Sequence, residues 1–457
     1  MSMVSINPAT GEEIQSYAVH TSDEVQFILH QAVETQCKWK ETELDFRLSC
    51  LEQISGTLRD RAREYASLMA REMGKPFSQG LGEVKKCAWL CGYYRENSRE
   101  FLSDREVEID GQKSLVTVQP IGLVLGIMPW NFPFWQVFRF AIPTITAGNG
   151  AILKHASNVQ GCAIAIEHCF RESGFPRNLF SNLSIPGHDM DSVIKHPAVA
   201  AVTLTGSTPA GKTVAKVAGT VLKKTVLELG GNDPYVILDD ANLDQAVDAC
   251  ISGRILNAGQ SCIAAKRLIV TEKNYKNVLT MLKNKLSSKI MGDPMDDVDL
   301  GPMVSIKARA EVHDQVLRSI SAGAELIMGG EISDEKGAFY PISILAGVKP
   351  GMPAFDEELF GPVYTVITAV DENHALELAN QTEFGLGAAV FTEDLEKGEE
   401  IARKRLHAGT CFVNDFVKSD PRLPFGGIKN SGYGRELSSY GMMEFVNVKT
   451  VVVKKAD

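Results

Sequence analysis

Cys262, Glu228 and Asn131 are three residues whose types and settings could together serve covalent catalysis, as nucleophile, base and hydrogen-bond donor. Cys262 closes the stretch Asn257-Ala258-Gly259-Gln260-Ser261-Cys262, just past a small polar turn. The apolar run after it, from Ile263, predicts a strand reaching Thr271. A thiol at such a junction can face a cleft, where its thiolate would be a nucleophile. Glu228 precedes Leu229-Gly230-Gly231, and a carboxylate in a cleft can act as a general base toward water. Asn131 sits in Pro129-Trp130-Asn131-Phe132-Pro133, and its amide could donate to a developing oxyanion. Each residue also has an ordinary reading: a small buried hydrophobe, a solvated surface carboxylate and a turn residue.

Three further stretches belong beside these. In Leu204-Thr205-Gly206-Ser207-Thr208-Pro209-Ala210-Gly211 a strand ends, a tight turn forms at Gly206 and Ser207, and a helix starts. A dinucleotide could lie against such a turn, although many strand-to-helix turns contain Gly-Ser. Neither Gly-x-Gly-x-x-Gly nor a Walker loop is present. Phe355-Asp356-Glu357-Glu358-Leu359-Phe360-Gly361-Pro362 and the glycine-dense run from Pro424 to Glu436 read as ordered loops near a site.

The elements that must position these residues show two textures. Thr21 and Glu24 have capping-box spacing before a helical pattern. Long helices are predicted over 43–73 and 79–102. Asp110-Gly111 marks a hairpin within 107–118, either a local surface feature or an arm that pairs with another subunit. From Ile121 short apolar strands alternate with helices, with strands predicted at 123–127, 151–154, 199–204 and 235–238. That is βαβ logic, and ligands of such sheets sit beyond the strands' carboxyl ends. A second set follows Cys262, with strands at 263–271, 325–328, 364–370, 388–391 and 410–413. The tail, 445–455, is β-rich and could pair with the hairpin.

Bulk properties limit the choice of function. The chain has 457 residues, 44% hydrophobic and 23% charged, which suits two or three globular domains. A net charge of −10 argues against a general nucleic-acid binder. The nine cysteines include no Cys-x-x-Cys pair, so no metal site is expected. No leader pattern and no apolar run of the ~20 residues that span a bilayer is seen, so a reducing, cytoplasmic protein without membrane partners is expected.

Taken together and in order, the motifs carry a resemblance. Pro-Trp-Asn-Phe-Pro, Leu-Thr-Gly-Ser, Glu-Leu-Gly-Gly, Asn-x-Gly-Gln-x-Cys, Glu-x-Phe-Gly-Pro and Pro-Phe-Gly-Gly-x-Lys-x-Ser-Gly-x-Gly-Arg-Glu all occur here. From about Asn7 to Val453 the chain resembles the aldehyde dehydrogenase superfamily. It is most similar to the succinate-semialdehyde dehydrogenase branch in its shorter bacterial form. The resemblance implies an α/β fold: a Rossmann-like cofactor domain (1–102 and 120–227), an α/β catalytic domain (228–420) and a β-rich oligomerisation arm (103–119 and 440–457). It implies a homodimer or a dimer of dimers.

The same resemblance implies roles. Cys262 would be the nucleophile, Asn131 an oxyanion donor and Glu228 the base that hydrolyses a thioester. Trp130, Gly206, Ser207, Glu358 and Phe360 would hold the dinucleotide. Lys154 and Ser157 would meet its adenosine ribose. Serine in place of a carboxylate at 157, with Lys154 adjacent, predicts NADP over NAD. Departure from the usual Lys-Pro to Lys154-His155 affects the path of that loop. Arg139 would bind the acid end of succinic semialdehyde, with Ser419 as a second contact. The branch can also carry an Arg six residues before the nucleophile, where this chain has Leu256. Alternatives are another short aldehyde such as glutarate semialdehyde, a coenzyme A-acylating relative, and a non-catalytic binding relative.

Overall fold

A computed structural model describes residues 2–109, 112–333 and 336–454. Two large sheets, mostly parallel, supply the loops that carry the motifs. The first has strand order Gly432–Tyr433, Lys224–Glu228, Val199–Thr205, Leu123–Met128, Gly150–His155, Phe180–Asn182. All of its neighbours are parallel except the short Gly432–Tyr433 edge. The chain winds outward from Leu123–Met128 in one direction, then crosses over and winds in the other. The strand order therefore reverses between Leu123–Met128 and Val199–Thr205, which opens a crevice at their carboxyl ends.

The second sheet runs Glu325–Met328, Ser343–Ala346, Val363–Ala369, Arg267–Thr271, Pro234–Ile237, Gly387–Phe391, Thr410–Val413, parallel but for its first strand. Its central strands are buried along their whole length, as a sheet covered on both faces requires. It contributes Cys262, Glu358 and Phe360 from loops that enter its strands, and Phe416 and Ser419 from the loop that leaves Thr410–Val413. The strand expected to begin at Ile263 begins at Arg267. Residues 263–265 instead close a turn, with the Ala264 amide donating to the Ser261 carbonyl at 3.2 Å.

The capping box forms as expected: the Glu24 amide donates to Thr21 Oγ1 and the Thr21 amide to Glu24 Oε2. The helix predicted over 43–73 is two, Leu44–Asp60 and Ala62–Met73. Arg61 breaks it by leaving helical geometry at φ −100°, ψ 12°. The next helix is Phe77–Phe101. Its buried stripe includes a charged residue, Glu83. The strands Phe180–Asn182 and Ser343–Ala346 fall outside the predicted set, being too short to show a period.

The tail strand Val446–Val453 pairs antiparallel with Lys113–Pro120 over eight residues, from Val446 opposite Pro120 to Val453 opposite Lys113. Arg105–Glu106 lies on the other side of Lys113–Pro120. The Asp110-Gly111 turn lies outside the described residues, but its flanks, Ile109 and Gln112, are bridged.

Candidate active site

The nucleophile loop is built on unusual backbone. Asn257, Ala258 and Gly259 are successive left-handed residues, with φ of 55°, 54° and 72°. Only glycine adopts this conformation at no cost. At Gly259 the constraint is also spatial, since a Cβ would lie 2.2 Å from the Gly361 carbonyl oxygen. The strained turn is tied to the loop that carries Asn131. Asn257 Nδ2 donates to the Asn131 carbonyl at 2.8 Å, and Asn131 Nδ2 donates to the Gln260 carbonyl at 3.1 Å. These reciprocal bonds hold the two loops as one piece.

Lys75 completes the clamp. Its buried ammonium donates to the Asn131 carbonyl at 2.9 Å and pairs with Glu83 Oε2. Glu83 Oε1 accepts the amides of Phe134 and Trp135, each at 2.9 Å, at the start of the helix Trp135–Thr146. A carboxylate there satisfies orphan amides and opposes the helix dipole. Asn131 Oδ1 accepts from Gln136 Nε2 at 3.1 Å, so the amide orientation is set. One of its N–H bonds is spent on Gln260, and the other remains for a ligand.

Cys262 stands where two cavities meet. One is a groove of about 690 Å³ bordered by Trp130, Asn131, Gly206, Ser207, Glu358 and Phe360. The other, of about 260 Å³, is walled largely by aromatic and aliphatic side chains. Cys262 borders both, so a group bound in one can react at sulfur with a group bound in the other. Enclosure by protein pushes the thiol up to about 12, against the opposing pull of Lys266 and then Arg139.

Lys266, which falls inside the strand predicted from Ile263, instead organises this corner. Its buried ammonium donates to the carbonyls of Ser261 (2.9 Å) and Cys262 (2.5 Å) and pairs with Glu358 Oε1 at 3.1 Å. Glu358 also accepts from the Gly231 amide at 3.2 Å.

The groove has the features a dinucleotide needs. Trp130 and Phe360 make an edge-to-face pair, with ring centroids 6.0 Å apart, on its wall. Gly206 ends the strand Val199–Thr205, and Ser207 precedes the helix Thr208–Gly219 without capping it. The first amides of that helix are thus open to an anion. Lys154, next to last in the strand Gly150–His155, is buried with no side-chain ion-pair or hydrogen-bond partner among the described residues, and Ser157 beyond the strand is exposed. Neither of these two borders the groove itself, so both would meet only an outer part of a bound molecule. His155 explains the altered loop. Its buried ring accepts from the Ala156 amide at Nδ1 (3.0 Å) and lies 3.0 Å from the Pro133 carbonyl at Nε2. Burial pushes it down to about 4, so the ring is neutral and Nε2–H donates to Pro133. The imidazole thereby staples the Lys154 strand to the Asn131 loop.

Glu228 is placed differently. It ends the strand Lys224–Glu228 at 2% exposure, and both carboxylate oxygens lack a hydrogen-bond partner among the described residues. It borders neither cavity. Its carboxylate is turned toward Gly426, where a Cβ would come within 2.6 Å of Oε1. Burial first, and Glu436 next, push it well above the usual carboxylate range.

Arg139 is not free. Its Nε pairs with Glu436 Oε2, Nη2 donates to Thr205 Oγ1 at 3.3 Å, and the guanidinium lies 4.7 Å from the Phe425 ring centroid. It borders the smaller cavity with its charge already countered. A guanidinium buried among aromatic side chains needs a counter-charge, and Glu436 supplies it from within the chain. Ser419 borders the same cavity, as do Leu256 and Lys86.

Over nearly its whole length the chain is similar to known proteins. The succinate semialdehyde dehydrogenase NAD(P)+ of Escherichia coli strain K12 is 44% identical over 449 residues, covering 98% of this chain and 97% of that one. A probable succinate-semialdehyde dehydrogenase NADP(+) of Synechocystis is 43% identical over 452 residues, covering 99% of each. Among solved structures, the succinic semialdehyde dehydrogenase of Streptococcus pyogenes in complex with NADP+ superposes with a TM-score of 0.97 at 37% identity, over 99% of this chain and 100% of that one. The profile of the aldehyde dehydrogenase family matches residues 1–451. With its motifs in order, its thiol between two cavities and a family match over nearly its whole length, the chain belongs to the aldehyde dehydrogenase family.

Proposed function

We propose that the protein oxidises succinic semialdehyde to succinate, using NADP in preference to NAD. The observation that carries the reading is the position of Cys262 on the shared wall of a dinucleotide-sized groove and a smaller, mostly apolar cavity. The names of the relatives support the substrate and the cofactor.

The residues divide the work as follows. Cys262, as thiolate, forms a bond to the aldehyde carbon while the carbonyl electrons move onto oxygen. The free N–H of Asn131 and the backbone N–H of Cys262 hold that oxyanion, an effect typically worth about 3–4 kcal/mol per donor. A dinucleotide bound against Trp130, Gly206, Ser207, Glu358 and Phe360 supplies the acceptor for the hydride that leaves the same carbon. The thioester left on Cys262 is then attacked by water, whose proton Glu228 takes as the carbon–sulfur bond breaks. For that step the Glu228 side chain must turn from Gly426 toward the sulfur and be ionised. Its burial beside Glu436 stores it protonated and out of the way until then.

Lys154, unpaired, and Ser157, where a carboxylate would repel, support NADP over NAD. A homodimer or a dimer of dimers is part of the same reading, supported by the three-stranded arm, whose outer strand exposes Val448, Val452 and Val453. So is a reducing, cytoplasmic setting, supported by nine unpaired cysteines. Aldehyde-dependent formation of reduced cofactor, absent in Cys262→Ala, tests the reaction. A panel of succinic semialdehyde, glutarate semialdehyde and uncharged aldehydes, run with NADP and NAD, tests the specificity. A preference for NAD, or for an uncharged aldehyde, would reject the corresponding part.

A further inference from the structure

Among the described residues, one cation bordering the smaller cavity has no ion-pair partner. Lys86 projects into it from the helix Phe77–Phe101, one turn beyond Glu83. Its ammonium donates to Ser419 Oγ at 2.8 Å and lies 4.4 Å from the Trp135 ring centroid. No ion-pair partner for it occurs among the described residues. Every other charge bordering the cavity is matched. Glu83 is taken by Lys75, Arg139 by Glu436, and Lys418 by Asp415. Asp420, which follows Ser419, is held by Arg422 at 2.7 Å. Between Cys262 and Lys86 the wall is apolar, formed by Trp135, Ile263, Leu256, Phe416 and Phe425.

We propose that Lys86, steadied by Ser419, is the residue that binds the far carboxylate of the aldehyde substrate. The inference rests on the acid-aldehyde reading above and assigns its specificity to a residue other than Arg139. An ammonium with three donors needs only one of them for Ser419, which leaves two for a carboxylate. A serine hydroxyl that accepts from Lys86 still has its own proton to give to the same acid. The surrounding aromatic wall lowers the local dielectric, so a charge-assisted bond formed there is stronger than one in water. An uncharged aldehyde leaves the ammonium unanswered and gains none of this. Arg139 contributes less because Glu436 already occupies its Nε face.

The arrangement also predicts a pH signature. Burial first, and Arg139 next, push Lys86 down to about 8, while Cys87, Asp420 and Glu83 pull the other way. Cys87 is itself buried and held well above the usual thiol range, so it stays neutral. The charge that binds the acid is therefore lost as pH rises through about 8.

The test compares kcat/KM for succinic semialdehyde with that for butanal in the wild-type holoenzyme, Lys86→Met and Lys86→Arg. The ratio of the two falls about 30- to 100-fold in Lys86→Met, the range for losing a hydrogen bond to a charged group. Most of it returns in Lys86→Arg. In the wild type KM for succinic semialdehyde climbs through about pH 8. In Lys86→Arg that inflection is gone, because guanidinium does not titrate there. Cys262 is present in both proteins and cannot produce the difference. A ratio that stays within about threefold of wild type in Lys86→Met, a change no larger than a surface charge gives, overturns the assignment of Lys86. A wild type that itself prefers butanal overturns the acid-aldehyde reading as well.

Discussion

Replacing Arg139 by methionine removes the positive half of a pair whose side chains are 3% and 4% exposed. Glu436 is then left buried next to Glu228, the other carboxyl of the cluster. Breaking a buried pair by removing one partner typically costs about 3–5 kcal/mol, because the survivor keeps its desolvation penalty. The lower end applies here, since Glu436 can take up a proton. Burial already pushes it up, and losing Arg139 removes the main opposing influence. The double variant Arg139→Met/Glu436→Gln abolishes both charges and should regain about 2 kcal/mol. The stacking of the guanidinium on Phe425 is lost in both proteins and cancels in the comparison. Urea midpoints of the wild type, both single variants and the double variant give the coupling. If the double variant is no more stable than Arg139→Met, the pair is not holding this corner together. The same double variant separates structure from substrate binding. It should lose less of its preference for the acid aldehyde than Lys86→Met does, and a larger loss would return the carboxylate to Arg139.

Other consequences can be checked alongside. Glu228→Gln should slow thioester hydrolysis about 10²- to 10⁴-fold, the usual worth of a general base, while a first-turnover burst of reduced cofactor survives. It should also stabilise the fold. A carboxyl with a raised folded-state pKa keeps its proton after the unfolded chain has released it, so its cost grows as pH rises from about 4.5. The stability gap between Glu228→Gln and wild type therefore widens with pH above that value, and a gap that shrinks would contradict the burial argument. Gly259→Ala forces a Cβ into the Gly361 carbonyl at a left-handed position. It should cost at least about 1–3 kcal/mol and displace Cys262, read as lost stability together with lost alkylation by iodoacetamide. Without cofactor, Cys262 should alkylate slowly at neutral pH, with a rate that keeps rising tenfold per pH unit past pH 9, because the thiol is held near 12. A plateau near pH 8 would mean that Lys266 and Arg139 outweigh enclosure.

Much of the site was legible because its chemistry sits in short contiguous segments. Cys262, Asn131, Gly206 and Glu358 each belong to a loop whose glycines and prolines punctuate the sequence, and the structure gathers these four residues around one groove. The alternation of strands and helices after Ile121 was readable for the same local reason. What escaped depends on partners far along the chain. Lys86 is one of a lysine doublet, and its direction follows only from where the helix packs. The signal that could have flagged it was Glu83, a charge within an apolar stripe one turn earlier. Lys266 looked like a strand residue because nothing local shows that two carbonyls four and five residues back turn toward it. Glu436 closes a contiguous glycine-rich motif, yet its bond to Arg139 spans almost three hundred positions of sequence. The inward turn of Glu228 depends on Gly426 making room, again a non-local fact.

The most direct trial of the whole account is mass spectrometry of Glu228→Gln quenched in acid after exposure to succinic semialdehyde and NADP. One succinyl group should be found on the peptide that carries Cys262, in step with one equivalent of NADPH per active subunit. No adduct, an adduct on a different cysteine, or continued turnover by Cys262→Ala would contradict it.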